Sequence, residues 1–97
     1  MVVISRRVIL GFIRDHPKAE DPLFRWYMIT KQADWSDFSD LKRDFGAADS
    51  VGDSLYVFEI GGNKYRLIAR VIFRTRTTFI RFIGTHTMYD RVVLSEL

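Results

Sequence analysis

KYRLIARVIFR, residues 64–74, decides the reading of this chain. Its odd positions, Tyr65, Leu67, Ala69, Val71 and Phe73, are all apolar. Its even positions place Lys64, Arg66, Arg70 and Arg74 together, interrupted only by Ile68 and Ile72. A period of two is the signature of a half-buried strand, one face in a core and the other toward solvent. Lys64, Arg66 and Arg70 are therefore expected to project from one surface. Two readings of that surface stay open: an ordinary solvated face of an amphipathic strand, or a platform for a polyanion.

Working outward, the glycine turn GGN (61–63) should join this strand to an earlier one, DSLYVFEI (53–60). On the other side, TTFIRFIGT (77–85) reads as a further strand, and TMYDRVVLSEL (87–97) as a short terminal helix or an irregular end. Upstream of Ala47 the period changes from two to helical. Val2-Val3-Ile4 is a short β-branched first strand. Ser5 should cap a helix carrying Ile9, Phe12 and Ile13 that stops before His16-Pro17. A second helix is expected from Lys18 to about Asp34, with Leu23, Trp26, Tyr27 and Ala33 on its apolar face and Pro22 in its first turn. Ser36 or Ser39 should cap a third, in SDFSDLKRDFG (36–46), with Gly46 as its stop. The expectation is an α+β fold: one domain over residues 1–97, an antiparallel sheet, and N-terminal helices covering one face.

Composition narrows the function. No cysteine is present, so disulfides and thiolate metal sites are excluded, as in a reducing cytoplasm. Arginines interrupt the first apolar run, which reads as neither a signal peptide nor a membrane span. The net charge of +3 is uneven. Residues 1–60 carry eight Lys/Arg against ten Asp/Glu, whereas residues 61–97 carry seven against two. A basic C-terminal half on a near-neutral scaffold suits a nucleic acid or an acidic protein surface.

RFIGTHTMYDR (81–91) holds the residue types that RNA cleavage without a metal requires. One group must take the proton of the 2′-hydroxyl, cations must hold the charge developing on phosphate, and another group must protonate the leaving 5′-oxygen. His86 is the side chain type that titrates near neutrality, and Tyr89 offers a hydroxyl among cations. Arg66, Arg70 and Arg81 can clamp a phosphate through two N–H groups. Asp90 could orient His86 or pair with an arginine. Each also has an ordinary reading: His86 as a strand-end hydrogen-bonding residue, Tyr89 as a packed surface ring, Asp90 as half of a weak surface pair. His16 reads as a helix-end residue. Asn63 contacts RNA or completes its turn, where asparagine tolerates positive φ. Strict alternation sets Arg81 and His86 on opposite faces, so their convergence would need a bulge near Gly84. His86 and Asp90 lack a third ligand at metal-site spacing, so neither a metal nor another cofactor is expected.

The chain resembles the HigB group of bacterial toxins in the RelE-like superfamily. The resemblance rests on IGGNKYRLIARV (60–71) and IRFIGTHTMYDR (80–91), and extends to VISRRVILGFIRDHP (3–17), LFRWY (23–27) and KQADW (31–35). GGNKYR (61–66) and GTHTMYD (84–90) are its most specific parts. It implies a toxin of a type II toxin–antitoxin pair, an mRNA endoribonuclease acting on the ribosome and neutralised by a HigA-like helix-turn-helix antitoxin, without a metal and without a membrane partner. It further implies His86, Tyr89 and Asp90 in the C-terminal catalytic motif, Lys64 and Arg66 after the glycine turn, and Arg81 on the last strand. Lys64, Arg66, Arg70, Arg74 and Asn63 are the expected RNA contacts. The competing expectation is a non-catalytic RNA- or protein-binding module that uses the basic face for charge alone.

Overall fold

The computed structural model describes residues 1–97. Strand β1 (Val2–Ile4) leads into helices α1 (Arg6–Asp15), α2 (Glu20–Gln32) and α3 (Phe38–Asp44). Strands β2 (Asp49–Gly52), β3 (Leu55–Ile60), β4 (Tyr65–Ile72) and β5 (Thr77–Thr85) follow, and a short helix α4 (His86–Asp90) closes the order before a terminal 3-10 turn. The sheet order is β1-β5-β4-β3-β2. The fold is α+β, as expected, with two additions. β1 returns beside β5 in parallel, which the intervening helices permit because they carry the chain back across the sheet. Asp49–Gly52 is a separate edge strand antiparallel to β3, so four strands rather than three follow the helices.

Helix boundaries follow local chemistry. Ser5 sits at φ 77° and its hydroxyl makes no cap bond, so α1 starts without the expected serine cap. Asp37, rather than Ser36 or Ser39, caps α3: its carboxylate accepts from the Asp40 N–H at 3.0 Å. Residues Pro17–Ala19 form a 3-10 turn, and α2 proper begins at Glu20. Pro22 is accommodated in its first turn, where its missing N–H leaves no intrahelical bond unmade.

The helices bury their apolar faces against one side of the sheet. Ile9, Leu23, Trp26, Trp35 and Leu41 meet Phe58, Leu67, Ala69, Val71 and Ile83 in one core. Trp26 packs edge-on to Phe58, ring centroids 5.4 Å apart. The odd positions of β4 enter this core, as their periodicity requires. The opposite face is less open than expected. Ile68 is 0% exposed there, and with Leu55 and Val57 it is covered by Phe82, Tyr89, Val92, Leu94 and Leu97. The C-terminal residues therefore fold back over the centre of the sheet and leave its ends for charged groups. No helix is long and apolar enough to cross a membrane.

Candidate active site

β5 carries the irregularity that builds the site. Phe82 faces Ile68 and Ile80 faces Ala69, so Arg81 is the extra residue of a β-bulge. The bulge expected near Gly84 thus lies three residues earlier. Arg81 is left exposed, and every residue after it changes face: Ile83 enters the helix-side core while Phe82 and Gly84 point to the other side. This shift carries His86 and Arg66 to the same face.

Gly84 serves a different purpose. It lies opposite Arg66 in the ladder and is buried. A Cβ there would collide with the Phe82 ring and stand 2.9 Å from Cβ of Met88 in α4. The absence of a side chain lets α4 sit directly on the sheet. Thr85 then caps α4, its hydroxyl accepting from the Met88 N–H at 3.3 Å. The result is that His86 opens α4 and Tyr89 lies one turn further along it.

The β3–β4 turn meets α4 at this point. Gly61, Gly62 and Asn63 all have positive φ, at 66°, 62° and 82°, a run that glycine adopts freely and asparagine tolerates. The Asn63 carbonyl accepts a hydrogen bond from His86 Nε2. A carbonyl can only accept, so Nε2 carries the proton, and in the neutral ring Nδ1 is the nitrogen whose lone pair is free to accept one. The Asn63 side-chain Oδ1 accepts from Arg66 Nη1 at 2.6 Å. Asn63 therefore completes the turn and also ties together two of the expected site residues.

Arg66 is the centre of the cluster. Glu59 stands 3.5 Å from Nη2, and the guanidinium carbon lies 5.8 Å from the centroid of the Tyr89 ring. Its side chain is only 16% exposed. Exposed ion pairs and cation–π contacts each contribute about 1 kcal/mol or less. What they provide here is orientation, with three partners fixing one planar fork. Glu59 had no part in the expected site. Its signal was present, since it falls directly opposite Arg66 once β3 and β4 are paired around the GGN turn.

The remaining residues stand elsewhere. Lys64 is exposed at the end of the turn and lines a cleft with Lys18, Asp21 and Arg25. Arg70 lies beyond Ile68, bonded to the Asp53 carbonyl and 3.5 Å from its carboxylate. Arg74 is not on the strand, which ends at Ile72; it belongs to a 3-10 turn at the far end of β4. Asp90 is the exposed last residue of α4, and the bonding partner of His86 is Asn63 instead. The basic row foreseen along β4 is thus divided: Arg66 at the site, Arg70 bonded to Asp53 of the β2–β3 turn, Arg74 at the opposite end.

A half-covered sheet whose turn and last helix bring arginine, histidine and tyrosine together has the build of a small RelE-like toxin. The family model for the HigB toxin, RelE-like toxic component of a toxin–antitoxin system, matches residues 19–92. The chain belongs to the HigB toxin family, and an antitoxin is its partner by that membership. It is 28% identical over 94 residues to the mRNA interferase HigB of Escherichia coli O6:H1, spanning 95% of this chain and 91% of that protein. It is 45% identical over 52 residues to the mRNA interferase toxin HigB of Escherichia coli K12, covering 52% of this chain and 50% of that one.

Proposed function

We propose that this toxin is a metal-independent endoribonuclease that cuts mRNA by acid–base chemistry and thereby stops translation. The observation that carries this reading is that Asn63 ties His86 to Arg66, whose guanidinium also meets the Tyr89 ring. The family membership and the mRNA interferase names of its relatives support it.

Arg66 holds the scissile phosphate and the charge that develops on it, and Lys64, across the turn, draws the RNA toward it. One of His86 and Tyr89 takes the 2′-hydroxyl proton, with His86 acting through Nδ1. The 2′-oxygen attacks phosphorus and the bond to the 5′-oxygen breaks. The other group delivers a proton to that leaving oxygen. The products are a 2′,3′-cyclic phosphate and a 5′-hydroxyl end. Arg81, Arg70 and Arg74 contribute to RNA attraction, and Asp90 to the charge balance near α4. The reaction takes place on translating ribosomes in the cytoplasm, which position the message on so small a surface. A HigA-like helix-turn-helix antitoxin neutralises it.

Mapping the ends of cleaved messages tests this chemistry. Cyclic 2′,3′ and 5′-hydroxyl ends are expected, and a 2′-deoxy sugar at the cut site should abolish cleavage. Products with 5′-phosphate ends would overturn it, since that outcome requires attack by water rather than by the 2′-oxygen. A toxin that arrests growth without cutting RNA would favour the binding-module reading of the basic face.

A further inference from the structure

The GGNK turn has two sides. Asn63 faces the cluster of Arg66 and His86, while Lys64 forms one wall of a cleft against the start of α2. Lys18 and Arg25 line the opposite wall, and the cleft encloses about 390 Å³. None of these three cations is in an ion pair, whereas Arg43, Arg66, Arg70 and Arg76 all are. Asp21 is the one carboxylate in the lining, leaving a positive balance. Gly61 has φ 66° and faces Pro22 of α2 and the Tyr65 ring, with ordinary contact distance, 3.4–3.5 Å, left for a Cβ. The turn therefore runs beside α2 and places Lys64 in the same cleft as Lys18 and Arg25.

We propose that this cleft is a second phosphate site, binding an RNA backbone phosphate next to the one that is cut. The proposal rests on the endoribonuclease reading of the Arg66 cluster. Lys64 adjoins Asn63, so a strand leaving the cluster over the turn meets the cleft at once. The three unpaired cations of the lining suit a solvated phosphate. Lysine and arginine attract that charge without reading sequence. The site adds affinity and register but takes no part in bond breaking.

The test uses the full chain and a single-stranded RNA of about eight nucleotides carrying 2′-deoxy at the cut position. Binding is followed by fluorescence anisotropy across a range of salt for wild type, Lys18→Gln/Arg25→Gln and His86→Ala. Both residues of the double variant are exposed, and its circular dichroism should match wild type. The double variant should bind about tenfold or more weakly at low salt. Its log–log salt slope should be shallower by about 0.7 for each phosphate that is no longer neutralised. The same variants are assayed for cleavage of an all-ribose message on ribosomes: cleavage that survives His86→Ala counts against the catalytic reading, and a slope unchanged in Lys18→Gln/Arg25→Gln counts against the cleft, so the two failures are told apart. A second arm repeats the comparison with ribosomes carrying a message. Weakened binding of the naked oligomer supports the proposal, and weakened binding only on ribosomes would overturn it in favour of ribosomal RNA phosphates. An unchanged slope in both arms would overturn the proposal. So would loss of antitoxin binding alone, which would assign the cleft to an acidic protein segment.

Discussion

Glu59 and Arg66 face each other across the β3–β4 ladder, the carboxylate 3.5 Å from the guanidinium, and the Tyr89 ring centroid lies 5.8 Å from the same guanidinium. A phosphate arriving at Arg66 must compete with, or share, that carboxylate. On the proposed reading, the pair keeps the guanidinium fork oriented for phosphate.

Glu59→Gln should lower kcat about tenfold, less than the hundredfold that misplacing a reacting group by about 1 Å can cost. KM should not rise, because removing a carboxylate beside the site weakens no attraction for RNA. Stability should change by less than about 1 kcal/mol, since the pair is partly exposed. Arg66→Lys should cost about 100-fold in activity, because an ammonium cannot reproduce the fork that meets Asn63 and phosphate together. Steady-state cleavage kinetics and urea unfolding check both.

Gly84→Ala should destabilise the fold by about 1–3 kcal/mol, the range for forcing an added methyl into a packed site. The methyl meets the Phe82 ring and Met88, so α4 must lift and take His86 and Tyr89 with it. Urea midpoints read the first effect. Cleavage measured well below the unfolding midpoint reads the second, and activity there should fall while the chain stays folded. Full activity would mean that α4 tolerates displacement.

Tyr56 gives a prediction about alkaline pH. Its phenol lies in the helix-side core between the Phe38 and Phe73 rings, and burial raises its pKa above the ordinary 10.0. A raised pKa in the folded state means that folding favours the protonated phenol. Its stability contribution is fully present below pH 10 and is lost as pH rises through the folded value. Tyr56→Phe should therefore lose less stability than wild type as pH rises above 10.0. Equal losses in thermal melts above that pH would contradict this.

Much of the fold was legible because its periods are strong. The alternation in Tyr65–Phe73 placed β4 and its core face correctly, and the helical spacing of Leu23 and Trp26 placed α2. β2 escaped notice because Asp49–Gly52 is a mostly exposed edge strand, with no apolar alternation to mark it. The parallel pairing of β1 depends on how the helices return the chain, which no local pattern records. The bulge had a readable trace: Ile80 and Ile83 both enter the helix-side core although they are three apart, which strict alternation forbids. The candidate site was legible as residue types rather than as partners. Asn63 accepting from His86, Glu59 holding Arg66 and the C-terminal residues covering Ile68 are all products of tertiary pairing. Periodicity also overextended the basic row, since Arg74 shares the parity of Arg66 but lies past the end of the strand.

The central claim is that the Arg66 cluster cuts RNA by acid–base chemistry through His86 and Tyr89. Cleavage of a defined message in a purified translation system, with and without ribosomes, tests it most directly. Wild type should cut only when ribosomes are present, and His86→Ala and Tyr89→Phe should each lose about 100-fold or more. Wild-type rates in both variants, with both correctly folded, would contradict the account and place the reacting groups elsewhere in the chain.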